Sequence, residues 1–167
     1  MAMKRYFVAL VALFLGMQAA SAQTLTQGSL VVLHGEEYGK VVADYSNAII
    51  MDMTEAEFAE YEEDWYKDQP TIISDLIDEV NQRSGHLLYM SARRESDYTL
   101  RWSVRYIYES GDIISDFYLE SADGEVVAKI ADVVGEGGAF GTKLYRIKSG
   151  AESTGRALGK FFKRELM

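Results

Sequence analysis

Cysteine is absent from all 167 residues. Without it there are no disulfides, no thiolate metal sites and no cysteine nucleophile, and no cysteine to carry a lipid anchor. Histidine is almost as scarce. His34 and His86 lie far apart with no H-x-H or H-x-x-x-H spacing, so zinc finds no local ligand pair. The G-x-S-x-G elbow and the S-x-x-K sequence are also missing, which leaves serine hydrolysis without a local motif. No catalytic residue, metal or cofactor is therefore expected, and a hydrolase could arise only as a cryptic site assembled from distant residues.

Basic residues are in short supply as well. Lys and Arg number 17 against 26 Asp and Glu, a net charge of −9. Nucleic acid and anionic lipid headgroups bind through clustered basic side chains, so neither is an expected partner. The carboxylates concentrate between Asp52 and Asp68, but the D-x-[DN]-x-[DN]-G calcium loop is absent there, and an acidic solvated helix face accounts for them.

Long apolar runs are lacking too. The run from Tyr6 to Met17 falls short of the ~20 residues a membrane-spanning helix requires. With Lys4 and Arg5 before it and Ala20-Ser21-Ala22 after it, the segment reads as an export signal cleaved after residue 22. Its removal would leave residues 23–167 as a single domain with a net charge of −11, exported to the periplasm or medium and not inserted in the membrane.

In that domain, Ser29 to His34 reads as a first strand, and Lys40 to Met53 as a second extended segment bent near Asp44, Ser46 and Asn47. The two could pair through the Gly35–Gly39 turn. Thr54 and Glu57 form a capping box, with Met53 and Phe58 placed for a hydrophobic staple. Phe58, Tyr61 and Trp65 then share one helix face. Pro70, the only proline, suits the first turn of a second helix over Thr71 to Arg83 that Gly85 ends.

From Tyr98 to Tyr108 apolar and polar residues alternate, placing Tyr98, Trp102 and Tyr106 on a core face. Turns at Glu109–Asp112 and Asp123-Gly124 lead to strands over Ile113–Ser121 and Glu125–Val134, completing an antiparallel meander. Arg101 and Arg105 fall on the polar face; ion pairs with Asp116 and Glu120 account for them, an anion-binding arginine pair being the alternative. The glycine-rich stretch Gly135–Gly141 has no P-loop ending and is expected to lead into an extended segment, Thr142 to Ile147, as a flexible turn with Phe140 at its centre. Ser149 and Glu152 predict the start of a final helix, whose Ala151, Gly155 and Gly159 recur every four residues as a close-packing stripe.

The expected fold class is α+β: a mixed, largely antiparallel sheet with a three-strand meander and helices packed on one face. Ser96-Asp97-Tyr98-Thr99-Leu100, then Glu120 to Val127 with its Asp-Gly turn, the glycine-rich loop and the small-residue terminal helix together resemble exported bacterial envelope domains. That group includes the N-terminal domain of TolB and the curli-secretion and lipopolysaccharide-assembly lipoproteins. The resemblance spans about Ile72 to Leu166 and implies an accessory or assembly module without catalytic residues. The expected function is a non-enzymatic envelope protein binding a protein partner, with Arg101, Arg105, Gly137, Gly138 and Phe140 as candidate contact residues. Binding of a small or amphipathic ligand between sheet and helices is the alternative.

Overall fold

A computed structural model describes residues 23–167, so the expected export signal lies outside the described residues. Eight strands form one sheet: β1 (Thr24–Gly28), β2 (Tyr38–Asp44), β3 (Ile49–Ile50), β4 (Met53–Thr54), β5 (Tyr89–Ser91), β6 (Tyr98–Ile107), β7 (Ile113–Ser121) and β8 (Val126–Gly135). Helices α1 (Glu55–Tyr61) and α2 (Trp65–Ser84) separate β4 from β5, and α3 (Lys143–Leu166) ends the chain. The order across the sheet is β1-β8-β7-β6-β2-β5. The meander β6-β7-β8 is antiparallel, whereas β2 runs parallel to both β5 and β6. The α1–α2 crossover supplies the length that parallel pairing requires. The fold class is α+β as expected.

The first segments differ from expectation. Residues 30–33 form a 3-10 turn, not a strand: the Ser29 hydroxyl accepts from the Val31 amide, and burial recurs every third residue, with Leu30 and Leu33 buried and Val31 and Val32 exposed. β2 consequently pairs with its later neighbours rather than with residues 29–34. The bend after β2 is where the spacing of Asp44, Ser46 and Asn47 puts it. Asp44 Oδ1 accepts from the amide (3.0 Å) and hydroxyl (2.6 Å) of Ser46, and β3 then resumes the same lane beside β6.

At Thr54 the capping box is present, its hydroxyl accepting from the Glu57 amide while the Glu57 carboxylate accepts from the Thr54 amide. The helix it opens is shorter than the apolar spacing suggests. It stops at Tyr61, which is exposed, and Trp65 begins α2 instead of extending α1. Pro70 lies inside α2, not at its start, and Gly85 caps that helix with φ 73° and ψ 27°. In α3 Thr142 is the N-cap, so the glycine-rich loop runs directly into a helix rather than an extended segment. Ser149, expected to open that helix, is internal to it and returns its hydroxyl to the Tyr145 carbonyl. A residue that caps can also bond back along an established helix, and here the earlier Thr142 takes the cap.

Both long helices cover one face of the sheet. Trp102, Phe117, Leu119, Ile130 and Val133 pack there against Leu76, Val80, Leu158, Phe161 and Phe162 in one apolar core. The small-residue stripe mates α3 to α2: a Cβ on Gly155 would collide with the Leu76 carbonyl, and one on Gly159 would lie 2.7 Å from Arg83 Cβ and 2.8 Å from the Val80 oxygen. Lys148–Asp68 (3.0 Å) and Arg156–Glu79 (3.1 Å) flank the seam.

Candidate functional site

Among the described residues no helix covers the face of the sheet opposite α2 and α3, and strand pairing divides it into two regions of unlike chemistry. Residues opposite one another in register point to the same side. Trp102↔Phe117 is a core pair, so the neighbouring Arg101↔Tyr118↔Lys129 row faces outward.

The first region is a lattice of charges. Arg101 Nε bonds Glu120 Oε1 at 2.7 Å and its Nη1 bonds Asp44 Oδ2 at 3.3 Å. Its guanidinium lies 4.5 Å from the centre of the Tyr118 ring, which Lys129 approaches at 5.1 Å. Arg105 pairs with Asp132 and, at 3.5 Å, with Asp116; Lys129 reaches Asp116 at 3.3 Å. Asp116 is almost fully covered and also accepts the Asp132 amide at 3.0 Å. That amide is offered by a β8 irregularity at which Asp132 takes φ 56°.

These contacts set the electrostatics. The Ser46 hydrogen bond, with the nearby Arg101 guanidinium, holds the Asp44 carboxyl below its ordinary range. Burial works against the charge on Arg101, but the Glu120 and Asp44 carboxylates outweigh it and raise its pKa. Both arginines therefore direct donors to carboxylates within the sheet, and cross-strand pairing accounts for their placement.

The second region is apolar. A shift of register between Val104 and Tyr106 breaks the alternation of β6, so Ile107 turns to the core and Tyr106 to the open face. The expectation that Tyr106 is a core residue is corrected by this bulge: one extra residue on one strand reverses the facing of everything after it. Pairing then aligns Ile49, Tyr106, Ile114 and Val134 in one row across β3, β6, β7 and β8. None of the four is fully buried, and Tyr106 is 44% exposed. Tyr108 stacks on Tyr106 with centroids 6.2 Å apart and planes 17° apart. The two tyrosines, Ile49 and the Met51-Asp52 turn border a groove of about 390 Å³. The trace of this region in the sequence is the adjacent apolar pair Tyr106-Ile107, where the period-two pattern slips.

The glycine-rich loop lies elsewhere. The Gly137 amide donates to Asp112 Oδ1 at 2.7 Å, and a Cβ there would overlap the Ser110 carbonyl. Gly138 faces Ser149 and Tyr145 of α3. Phe140 is 84% exposed and so covers no core. Gly137, Gly138 and Phe140 thus sit at the sheet end and against α3, while Arg101 and Arg105 occupy the open face; the five candidates do not form one surface. Among the described residues no three or more His, Asp or Glu side chains are placed to hold a metal ion, and no helix is long and apolar enough to cross a membrane.

No protein-family profile and no curated protein matches the chain. Solved structures similar to it include the PelC dodecamer from Paraburkholderia phytofirmans, at 13% identity over 82% of this chain and 96% of that one, with a TM-score of 0.42. Another is an uncharacterized protein, at 11% identity over 78% and 90% of the two chains, with a TM-score of 0.43.

Proposed function

We propose that this chain is a non-enzymatic accessory or assembly module of the bacterial cell envelope that docks a protein partner on the open face of its sheet. The basic start, apolar run and small-residue site at the beginning of the sequence support export. The resemblance to envelope assembly domains supports the accessory role. The observation that carries the surface is the Ile49–Tyr106–Ile114–Val134 row with Tyr108 stacked beside it. Protein contacts centre on apolar and aromatic groups with a polar rim, and tyrosine is a frequent anchor. The charged lattice next to the row supplies one side of such a rim.

The test is site-specific photocrosslinking in intact cells. A crosslinker at Ile114 should capture an envelope protein, and Tyr106→Lys should abolish the adduct while the variant melts within a degree or two of the parent. A crosslinker at Tyr61, exposed on α1, is the control. Capture that survives Tyr106→Lys, or capture at Tyr61 alone, would overturn the assignment of this face.

A further inference from the structure

The edge of the sheet at β5 carries an unusual closure. β5 pairs with β2 on one side, Tyr38↔Tyr89, Gly39↔Met90 and Lys40↔Ser91, and the Tyr89 amide donates to the Glu37 carbonyl at 3.1 Å. In a parallel ladder alternate residues turn their backbone groups to opposite sides, so Met90 directs its N–H and C=O outward, where a further strand would bond. Both groups are taken by one side chain. The Met90 N–H donates to Asn81 Oδ1 at 2.7 Å, and Asn81 Nδ2 donates to the Met90 carbonyl at 3.0 Å. A carboxamide has the donor and acceptor of a peptide group, and Asn81 fills the place of a strand with a single amide.

The lock is held rigidly. Asn81 sits in the last turn of α2, where its own carbonyl accepts the Gly85 amide and the Ser84 hydroxyl. Beside it Leu87 and Tyr89 remain exposed, and Asp78 and Arg93, of opposite charge, line the same groove of about 480 Å³.

We infer that β5 is a latent strand-addition site for a second copy of this chain, kept shut by the Asn81 carboxamide. The outward groups of Met90 are reciprocal to themselves, so two β5 strands can pair antiparallel about a two-fold axis, each Met90 exchanging both hydrogen bonds with the other. The opposed charges of Asp78 and Arg93 give the flank the self-complementarity that an isologous contact requires.

Sedimentation velocity over a concentration series tests this. Asn81→Ala should associate about tenfold or more tightly than the parent, because two buried-edge groups then gain partners only by pairing. Adding Tyr89→Lys, a charge on the open edge, should return Asn81→Ala to the parent's state. Asn81→Asp keeps the acceptor for the Met90 amide, and because each pairing bond needs that amide as its donor, this variant should stay in the parent's state. Asn81→Ser, whose side chain is too short to reach both groups of Met90, should associate as the alanine variant does and decides the matter if that variant does not fold. Unchanged association in whichever of the alanine and serine variants folds would overturn the inference, as would association of Asn81→Asp equal to theirs, or association of Asn81→Ala that persists with Tyr89→Lys.

Discussion

Gly155→Ala tests the seam between α2 and α3 most directly, because two opposing effects act on it and the structure says which is larger. In an ordinary helix the change is favourable by about 1 kcal/mol, since alanine is the better helix former. Here the added methyl would overlap the Leu76 carbonyl oxygen and lie 3.0 Å from Glu79 Cβ and 3.1 Å from the Leu76 carbonyl carbon. Two of those atoms are backbone in the middle of α2, so no rotamer change relieves the clash and the helices must part. A gap of ~0.5–1 Å forfeits a quarter to a half of each contact's ~0.1–0.2 kcal/mol, which over ~40 atom pairs, about the complement of one buried leucine, is ~2 kcal/mol. Strain from overpacking adds ~1–3 kcal/mol. The net destabilisation is therefore ~2–4 kcal/mol, a fall in melting temperature of roughly 5–12 °C for a domain of this size. Gly155→Leu should lose more. Urea and thermal unfolding read the effect, with Ser153→Ala on the helix flank as a control expected to change stability by less than about 0.5 kcal/mol. A Gly155→Ala variant that melts at or above the parent would show that propensity wins and that the helices do not touch at this stripe.

Thr54→Ala removes the hydroxyl that caps α1 and should lower stability by about 1 kcal/mol in the same denaturation assay, with Thr54→Ser restoring most of it. Asp75→Asn should act in the opposite direction and only in one pH range. Burial first, then the Glu152 carboxylate, hold the Asp75 carboxyl above its ordinary value of 3.8. The folded state thus binds that proton more tightly than the unfolded chain, and a penalty develops as pH rises from 3.8 through the raised pKa. The amide variant should be more stable by a few tenths of a kcal/mol at pH 7 and indistinguishable from the parent below pH 3.8; equal stability at both pH values would refute the sign.

What the sequence revealed and what it hid divide along one physical line. The features that were legible are those whose cause is local: the Thr54–Glu57 capping box, the left-handed Gly85 and the alternation of β6 through Val104, whereas the β7–β8 turn, expected as a two-residue Asp123-Gly124 hairpin, is one residue longer, with the Ser121 amide donating to the Glu125 carbonyl and Gly124 left-handed at φ 81°. Each depends on residues within a few positions of one another. The features that were missed depend on a partner distant in sequence. Leu30-Val31-Val32-Leu33 has a strand's composition, yet β2, its expected partner, already pairs on both sides, with β5 and β6, and the run instead folds into a turn that buries every third residue. Pro70 suggested a helix start because an interior proline forfeits a backbone bond, but Trp65 at the start of α2 is buried against Tyr45 and Phe58 at ring distances of 5.1 and 5.2 Å, and that packing extends the helix back beyond the proline. The bulge at Val104–Tyr106 and the Asn81 closure of β5 likewise involve a second strand or helix that no local pattern announces.

The open face bears on function because folding does not account for its composition. On the helical face the chain has little freedom: glycine at residue 155 and large apolar groups at Trp102 and Phe117 follow from close packing. On the open face any residue of fair strand propensity would serve, and along half of it charged pairs solvate the sheet as expected of an exposed surface. The other half departs from that solution. Ile49, Tyr106 and Tyr108 leave apolar area in contact with water next to positions where arginine, lysine and aspartate are accommodated, and exposed apolar strands favour unwanted association. Substituting them with polar residues would remove that liability without disturbing the core. A surface that carries a solubility cost with no structural return is accounted for when something covers it, which is the reason for proposing a partner at the apolar row and not at the charged lattice.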